Sequence, residues 1–302
     1  MSEMSVIKRE YKGWQNCVEV SNGIVDLIAT TDVGPRIIRF GFVGKENEFH
    51  EFSEDMGKTG GEKHRFYGGH RFWHAPEHPV RTYQPDNEKV AWEKKKSGIV
   101  LTQNTESLTG IKKEVEIKMA PDSAKVTVLH RLTNMGLWEV ELAPWALTMM
   151  AVGGTEVIPL NTRQTGLLPN GNISLWPYSG MNDKRVYWGE KYIMLTQDEN
   201  IDRSFKIGLA NESGWAAYAN HGRLFVIRFE PHEYGFEYPD YNCSYESYTD
   251  ARFLEMETLG PLTLLAPGEA IEHIETWYLY DNVEKPANEN DIENNILPLV
   301  QK

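Results

Sequence analysis

Apolar and polar residues alternate with a period of two along many short segments, and Gly, Pro and Asn separate these segments. This pattern is typical of β-strands that turn one face to a core. No segment before the C-terminus keeps a helical period for more than two turns. The predicted strands are 16–20, 24–30, 36–43, 98–103, 114–119, 125–132, 139–150, 191–196, 205–208, 215–218 and 224–229. Consecutive strands without intervening helices predict antiparallel sheets and an all-β protein.

The clearest alternation lies in the segment 252–280. Glu255 and Glu257 fall on one side of the predicted strand, with Leu254 and Met256 on the other. Two carboxylates therefore share a strand face, about 6 to 7 Å apart along it. Carboxylates beside such an apolar segment need water, hydrogen-bond donors or a ligand. We interpret the segment as a β-arm that ends a sheet and carries the acidic pair on its concave face. Its later strands are 262–265 and 271–280.

The length of 302 residues is compatible with one large all-β domain. We predict a single domain over 1–302, with a short polar tail from about residue 281. The tail is expected to end in a surface helix near 289–296. The segment 158–183 is rich in Gly, Pro and Asn, which is typical of a functional rim loop.

The net charge of −13, from 31 basic and 44 acidic residues, argues against nucleic acid as a partner. No apolar run has the length of a signal peptide or a membrane span. We therefore expect no membrane association and a cytoplasmic location. Cys17 and Cys243 are too few for a disulfide framework, so free thiols are expected.

Titratable and aromatic side chains are concentrated in the segment 66–87, which predicts a polar ligand. The candidate residues there are His70, Arg71, Trp73, His74 and Glu77. The histidines at 70, 74 and 78 have the spacing of a metal site on a helix. Glycines before this segment and prolines inside it disfavour that helix, so we expect no metal and no cofactor. In an extended segment, His70 and His74 would share one face, and Arg71 and Trp73 the other.

Two further clusters combine carboxylates with aromatic residues, which suit the hydroxyl groups of a sugar. The first lies in 232–250 and offers Tyr238, Asp240 and Glu246. The second lies in 174–190 and offers Trp176 and Arg185. An exposed acidic loop is the alternative interpretation of the first. The motifs of nucleotide-binding loops, serine hydrolases and zinc proteases are absent, which leaves carboxylate and imidazole acid–base chemistry.

The run METLGPLTLLAPGEAIEHIETWYLY resembles the end of the galactose mutarotase (aldose 1-epimerase) superfamily. Glu257 stands at the position of that family's catalytic glutamate, and a PGE turn, His273 and Trp277 follow it. The GGH sequence that ends at His70 is similar to the family's first active-site histidine region. The resemblance implies a large antiparallel β-supersandwich and a small carbohydrate as the ligand.

The resemblance also implies roles for individual residues. Glu257 would be the base, and His70, or next His74, the acid. The residues that would position sugar hydroxyls are Arg71, Tyr238, Asp240 and Glu255. The family's second histidine has no counterpart, because the corresponding strand 141–150 contains none. Two alternatives stay open. One is a sugar-binding protein or sensor without turnover, and the other is a glycoside hydrolase or polysaccharide lyase that pairs Glu257 with Asp240 or Glu77.

Overall fold

The computed structural model describes residues 4–301, which form strands almost throughout. The strands of the first half are β1 (Ser5–Tyr11), β2 (Trp14–Ser21), β3 (Val25–Thr30), β4 (Arg36–Phe42), β5 (His70–Ala75), β6 (Ala91–Lys95), β7 (Gly98–Thr102), β8 (Ile111–Met119), β9 (Lys125–Asn134) and β10 (Val140–Met150). Those of the second half are β11 (Thr155–Pro159), β12 (Ile173–Leu175), β13 (Val186–Trp188), β14 (Tyr192–Thr196), β15 (Phe205–Leu209), β16 (Trp215–Asn220), β17 (Arg223–Arg228), β18 (Tyr245–Thr249), β19 (Leu254–Leu259), β20 (Thr263–Leu265) and β21 (Ala270–Asp281).

The strands build two large antiparallel sheets. The first has the order β1-β2-β3-β4-β5-β10-β19-β18-β15-β12, with β20 paired to β10. The second has the order β13-β14-β11-β16-β17-β21-β9-β8-β7-β6. This arrangement confirms the predicted all-β antiparallel supersandwich.

One apolar core fills the space between the two sheets. Phe40 from the first sheet packs against Phe225 and Trp277 from the second, at centroid distances of 6.1 and 5.7 Å. Phe49 completes this group, 5.5 Å from Trp277. Edge contacts between aromatic rings add to the stabilisation from burying their area. The aromatic group therefore ties the central strands of the two sheets together.

The structure corrects the interpretation of residues 252–280 as an arm that ends a sheet. Strand β19 lies inside the first sheet, between β10 and β18. Strand β21 lies inside the second sheet, between β17 and β9. The segment 232–250 is also not only a loop, because it contains β18. The remaining predicted strands are observed, with ends shifted by a few residues.

The predicted C-terminal helix is present and continues to residue 300. Glu289–Asp291 and Leu297–Val300 are α-helical, and Ile292–Ile296 forms a π-helical turn between them. Ile292 and Ile296 are buried against the second sheet. None of the helices in residues 4–301 is long and apolar enough to cross a membrane. Cys17 and Cys243 are buried free thiols, as predicted.

Candidate active site

The alternation of β19 turns Glu255 and Glu257 to the face of the first sheet that lies away from the core. Met256 and Leu254 point into the core from the same strand. Both glutamates line a pocket of about 170 Å³. This volume is below the roughly 300–1,000 Å³ of pockets for drug-sized ligands, so it suits a single small ring. The aromatic residues that line the pocket are Phe66, Trp73, Tyr83, Trp145, Tyr178, Tyr248 and Phe253.

Register across the sheet places the polar residues in rows. Leu147 of β10 lies opposite both Arg71 of β5 and Glu257 of β19. Glu257 in turn lies opposite Glu246 of β18. Since paired residues of an antiparallel sheet share a face, the four side chains project to the same side. The pocket is therefore built on central strands of the sheet.

Glu257 is buried and held through one of its two oxygens. Lys206 Nζ donates to Glu257 Oε2 at 2.9 Å, and Trp145 Nε1 donates to the same oxygen at 2.8 Å. Glu257 Oε1 accepts no hydrogen bond from residues 4–301. One oxygen of this pocket-lining carboxylate is thus fixed, while the other is available to a ligand.

Lys206 joins Glu257 to a second carboxylate. Its Nζ lies 2.7 Å from Glu246 Oε2, and the Lys206 side chain is buried. The ammonium also lies over the rings of Trp145 and Trp176, at 4.9 and 4.7 Å from their centroids. Burial opposes the charge, but Glu246 and Glu257 together raise the pKa of Lys206 well above its usual value. The lysine is therefore a fixed cation in the sheet.

Glu255 pairs with Arg71 on the adjoining wall of the pocket. Arg71 Nη2 donates to Glu255 Oε1 at 3.1 Å. The guanidinium stacks over the ring of Trp73, 3.8 Å from its centroid. Burial raises the pKa of Glu255 to about 7, against the opposing effect of Arg71. A carboxyl group with this pKa is able to give and take a proton near neutral pH.

The rim of the pocket carries further polar groups. The Tyr83 hydroxyl donates to Glu77 Oε1 at 2.5 Å. Arg252 also lines the pocket, and its guanidinium is paired with Asp250. Both groups can bond the hydroxyls of a ligand at the mouth of the pocket.

His70 and His74 lie on the other face of β5, as its alternation predicts, and neither lines the pocket. His70 is buried between the sheets, and burial lowers its pKa well below the usual value. His74 lies 3.5 Å from Glu106 Oε2. The proton-donor role that the resemblance implied for these histidines therefore does not fit their position.

The histidines between the sheets form a closed hydrogen-bond network. His130 Nδ1 lies 3.0 Å from the carbonyl oxygen of His273, so this nitrogen carries the proton. His130 Nε2 then accepts from His70 Nε2 at 2.7 Å. His70 Nδ1 accepts from the Thr148 hydroxyl at 2.9 Å. Both rings are satisfied in their neutral form, and burial lowers the pKa of His130 to about 3.

A group of three residues in this network has the composition of a metal site. Each of the three offers one ligand atom, and these atoms lie within 4.8 Å of one another; the residues are His70, His130 and Glu275. The carboxylate of Glu275 already accepts from the Thr258 hydroxyl at 2.5 Å and from Trp277 Nε1 at 2.9 Å. Because each of these polar atoms has a protein partner, we assign the group a structural role.

Several other candidates from the sequence lie outside the pocket. Arg185 binds Asp183 and the carbonyl oxygens of Ile201 and Arg203. Tyr238 packs against His232. The remaining three are Asp240 in a left-handed turn, Trp176 over Lys206, and Glu246 in the sheet beneath the pocket lining. The structure brings together Arg71, Trp73, Glu77, Glu255 and Glu257.

Sequence reasoning missed Lys206, which contacts Glu257 directly. The signal was a single lysine inside the apolar strand Phe205–Leu209. It also missed Trp145, which lines the pocket. Trp145 is an aromatic residue of a kind that is common in β-sheet cores, so its pattern does not separate pocket from core.

No protein-family model and no curated protein sequence matches the chain. Solved structures do match it. A TPR-domain containing protein from Parabacteroides distasonis has a TM-score of 0.59 and 14% identity over 95% of this chain. The match spans 55% of the Parabacteroides chain.

Two further matches extend over the full length of the other chain. A galactose mutarotase-like protein from Clostridium acetobutylicum has a TM-score of 0.57 and 10% identity, over 93% of this chain and 100% of its own. One from Lactobacillus casei has a TM-score of 0.54 and 12% identity, over 88% and 100%. The chain therefore has the galactose mutarotase-like fold.

Proposed function

We propose that this chain, with its galactose mutarotase-like fold, binds a small carbohydrate and interconverts the two anomers of a reducing sugar. One observation carries the proposal. Lys206 and Trp145 hold Glu257 Oε2, and Oε1 stays free in a pocket the size of a single ring. A fixed carboxylate with one free oxygen is suited to remove a proton from a bound hydroxyl.

In the proposed reaction, Glu257 takes the proton of the anomeric hydroxyl. The bond between the anomeric carbon and the ring oxygen breaks as the ring oxygen gains a proton, which gives the open-chain aldehyde. Rotation of the aldehyde and closure from the other face give the other anomer. Lys206 and Trp145 hold the carboxylate in one orientation, so little of its freedom is lost at the reaction step.

The walls of the pocket support a sugar as the ligand. Trp73, Trp145 and Tyr178 supply flat apolar surfaces for the C–H faces of a pyranose. Glu77, Tyr83 and Arg252 supply acceptors and donors for its hydroxyls. The combination of apolar walls with a few polar groups is typical of a small-molecule site.

The test is magnetisation-transfer NMR on a panel of aldoses, which measures exchange between anomers directly. We expect the wild-type protein to accelerate exchange for at least one aldose. Glu257→Gln should lower that rate by about 10²-fold or more, because the base is lost. Glu10→Gln is the matched control, since Glu10 is exposed on β1 and remote from the pocket.

An unchanged exchange rate in Glu257→Gln for every accepted sugar would contradict the proposal. Binding of a sugar in calorimetry without any exchange would indicate a sugar-binding protein instead. Release of reducing ends from an oligosaccharide would indicate a glycosidase.

A further inference from the structure

Five buried ionisable side chains meet at the pocket, four of them in its lining, and their charges do not balance. Arg71 contacts Glu255 at 3.1 Å. Lys206 contacts Glu246 at 2.7 Å and Glu257 at 2.9 Å. The residues are 5% exposed or less, so water contributes little to their solvation. Two cations therefore face three carboxylates in what we call the charge cluster.

An uncompensated charge in a buried cluster costs free energy, and one bound proton removes it. Such a proton belongs to the coupled carboxylates rather than to one of them alone. Burial raises the pKa of Glu246 well above its usual value, and it raises that of Glu255 to about 7. Lys206 opposes both shifts and Arg71 opposes that of Glu255, without cancelling them. The cluster therefore holds an exchangeable proton at neutral pH.

Among the carboxylates with raised pKa values in this cluster, only Glu255 lines the pocket. Glu246 lies below it, behind Lys206. No histidine is among the described residues that line the pocket. The titratable and charged groups around Glu255 are Arg71, Glu257, Lys206, Glu246, Glu77, Tyr248 and Arg252, with His64 in contact with Arg71. Glu255 is thus the group best placed to pass the proton to a ligand.

We propose that Glu255 is the general acid of the reaction and donates the proton of the charge cluster to the ring oxygen of the sugar. This inference rests on the proposed function. Glu255 loses a proton as Glu257 gains one from the anomeric hydroxyl, so the total charge of the cluster stays constant. Closure of the ring returns both protons. Conserving the charge avoids a change in buried charge during the reaction.

The kinetic test is the pH profile of anomer exchange in the wild type, Glu255→Gln and Glu246→Gln. The wild-type rate should fall as the pH rises through about 7, because Glu255 loses its proton. Glu255→Gln should lower the rate by about 10²-fold and remove this alkaline limb. Glu246→Gln leaves two carboxylates for two cations, so Glu255 should lose its proton more easily. The fall of the exchange rate should then occur at lower pH. An unchanged alkaline limb in Glu255→Gln would overturn the assignment.

A second measurement needs no substrate. The carboxyl carbons of ¹³C-labelled glutamates are followed by NMR across pH, and the signal absent from Glu255→Gln identifies Glu255. We expect its midpoint near 7 in the wild type and at lower pH in Glu246→Gln. A midpoint at the ordinary glutamate value, about 4.3, or one that Glu246→Gln does not move, would overturn the shared proton. If the midpoint is near 7 but no aldose is turned over, the proposed function and the acid role fail, while the proton in the cluster stands.

Discussion

The ammonium of Lys206 lies 2.9 Å from the carboxylate of Glu257, although their strands are not neighbours. Lys206 belongs to β15 and Glu257 to β19, and β18 runs between them. The lysine therefore crosses one strand to reach its partner, and on the way it contacts Glu246 of β18. Three strands of the sheet are tied together by a single side chain, and removing its charge should affect all three.

The first prediction concerns this lysine. Lys206→Met keeps most of the side-chain volume but leaves Glu246 and Glu257 buried without their cation. We expect the free energy of unfolding to fall by about 3–5 kcal/mol, the usual cost of breaking a buried pair. Chemical denaturation measures it. Lys94→Met is the control, because Lys94 is exposed on β6, and it should change stability by less than about 0.5 kcal/mol. Equal effects of the two substitutions would contradict the prediction.

The second prediction concerns Glu156, which is buried and accepts hydrogen bonds from Tyr245 and Ser247. Burial raises its pKa to about 8, so the folded protein binds its proton more tightly than the unfolded chain does. The folded state therefore loses stability as the pH rises from about 4.5 to 8. Glu156→Gln is neutral at every pH and should gain stability relative to the wild type over that range. A gain of several kcal/mol, at most about 5, is expected.

Denaturation of both proteins at intervals between pH 5 and 9 gives the difference in their free energies of unfolding. If this difference does not change with pH, it reflects altered hydrogen bonding alone and the proton linkage is disproved.

The third prediction concerns Gly208, which lies opposite Glu246 in the sheet. A Cβ atom there would lie 2.7 Å from Cys243 Sγ and 3.2 Å from Glu246 Cγ. Gly208→Ala should lower the free energy of unfolding by about 1–3 kcal/mol, as overpacking does. It should also displace the charge cluster and slow anomer exchange. Gly171→Ala is the control, since its nearest neighbour would be 3.5 Å away. The role of Gly208 is refuted if it tolerates alanine as well as Gly171 does.

The fourth prediction concerns Trp145, a positioning residue. Trp145→Phe retains an aromatic ring but removes the N–H that donates to Glu257. The carboxylate of Glu257 then accepts one hydrogen bond, from Lys206, instead of two. We expect kcat to fall about 10-fold with little change in KM, since a misplaced base affects the reaction step more than binding. Trp138→Phe, at an exposed site, should change neither constant. A rise in KM alone would indicate that Trp145 only contacts the sugar.

The alternation of residues predicted more than the existence of strands. It placed Arg71 and Trp73 on one face of a strand and His70 and His74 on the other, and the structure confirms these two faces. The resemblance to a known histidine motif nevertheless favoured His70 as the proton donor. A motif records the order of residues, whereas the side of the sheet depends on parity, which a diverged strand can change by a single residue.

The order of strands was not predictable from the chain. Strand β10 pairs with β5 and with β19, which lie far apart in sequence. Local patterns carry no information on such pairings, so the arm 252–280 was assigned to one sheet instead of two. The contacts of Lys206 with Glu246 and Glu257 could not be predicted for the same reason. A lone lysine in an apolar strand is ordinary until the strand beside it is known.

Strands β5 and β19 each have one set of side chains that faces the pocket and another that faces the core. Arg71, Trp73, Glu255 and Glu257 face the pocket, whereas the residues between them pack inside the sandwich. Directed evolution can therefore vary Trp73 and the other uncharged residues that line the pocket to change ligand preference, while Arg71, Glu255 and Glu257 are kept for the reaction. The even positions of β5 and β19 would keep the scaffold intact during that search. A library restricted in this way should contain more folded members than one that randomises contiguous segments.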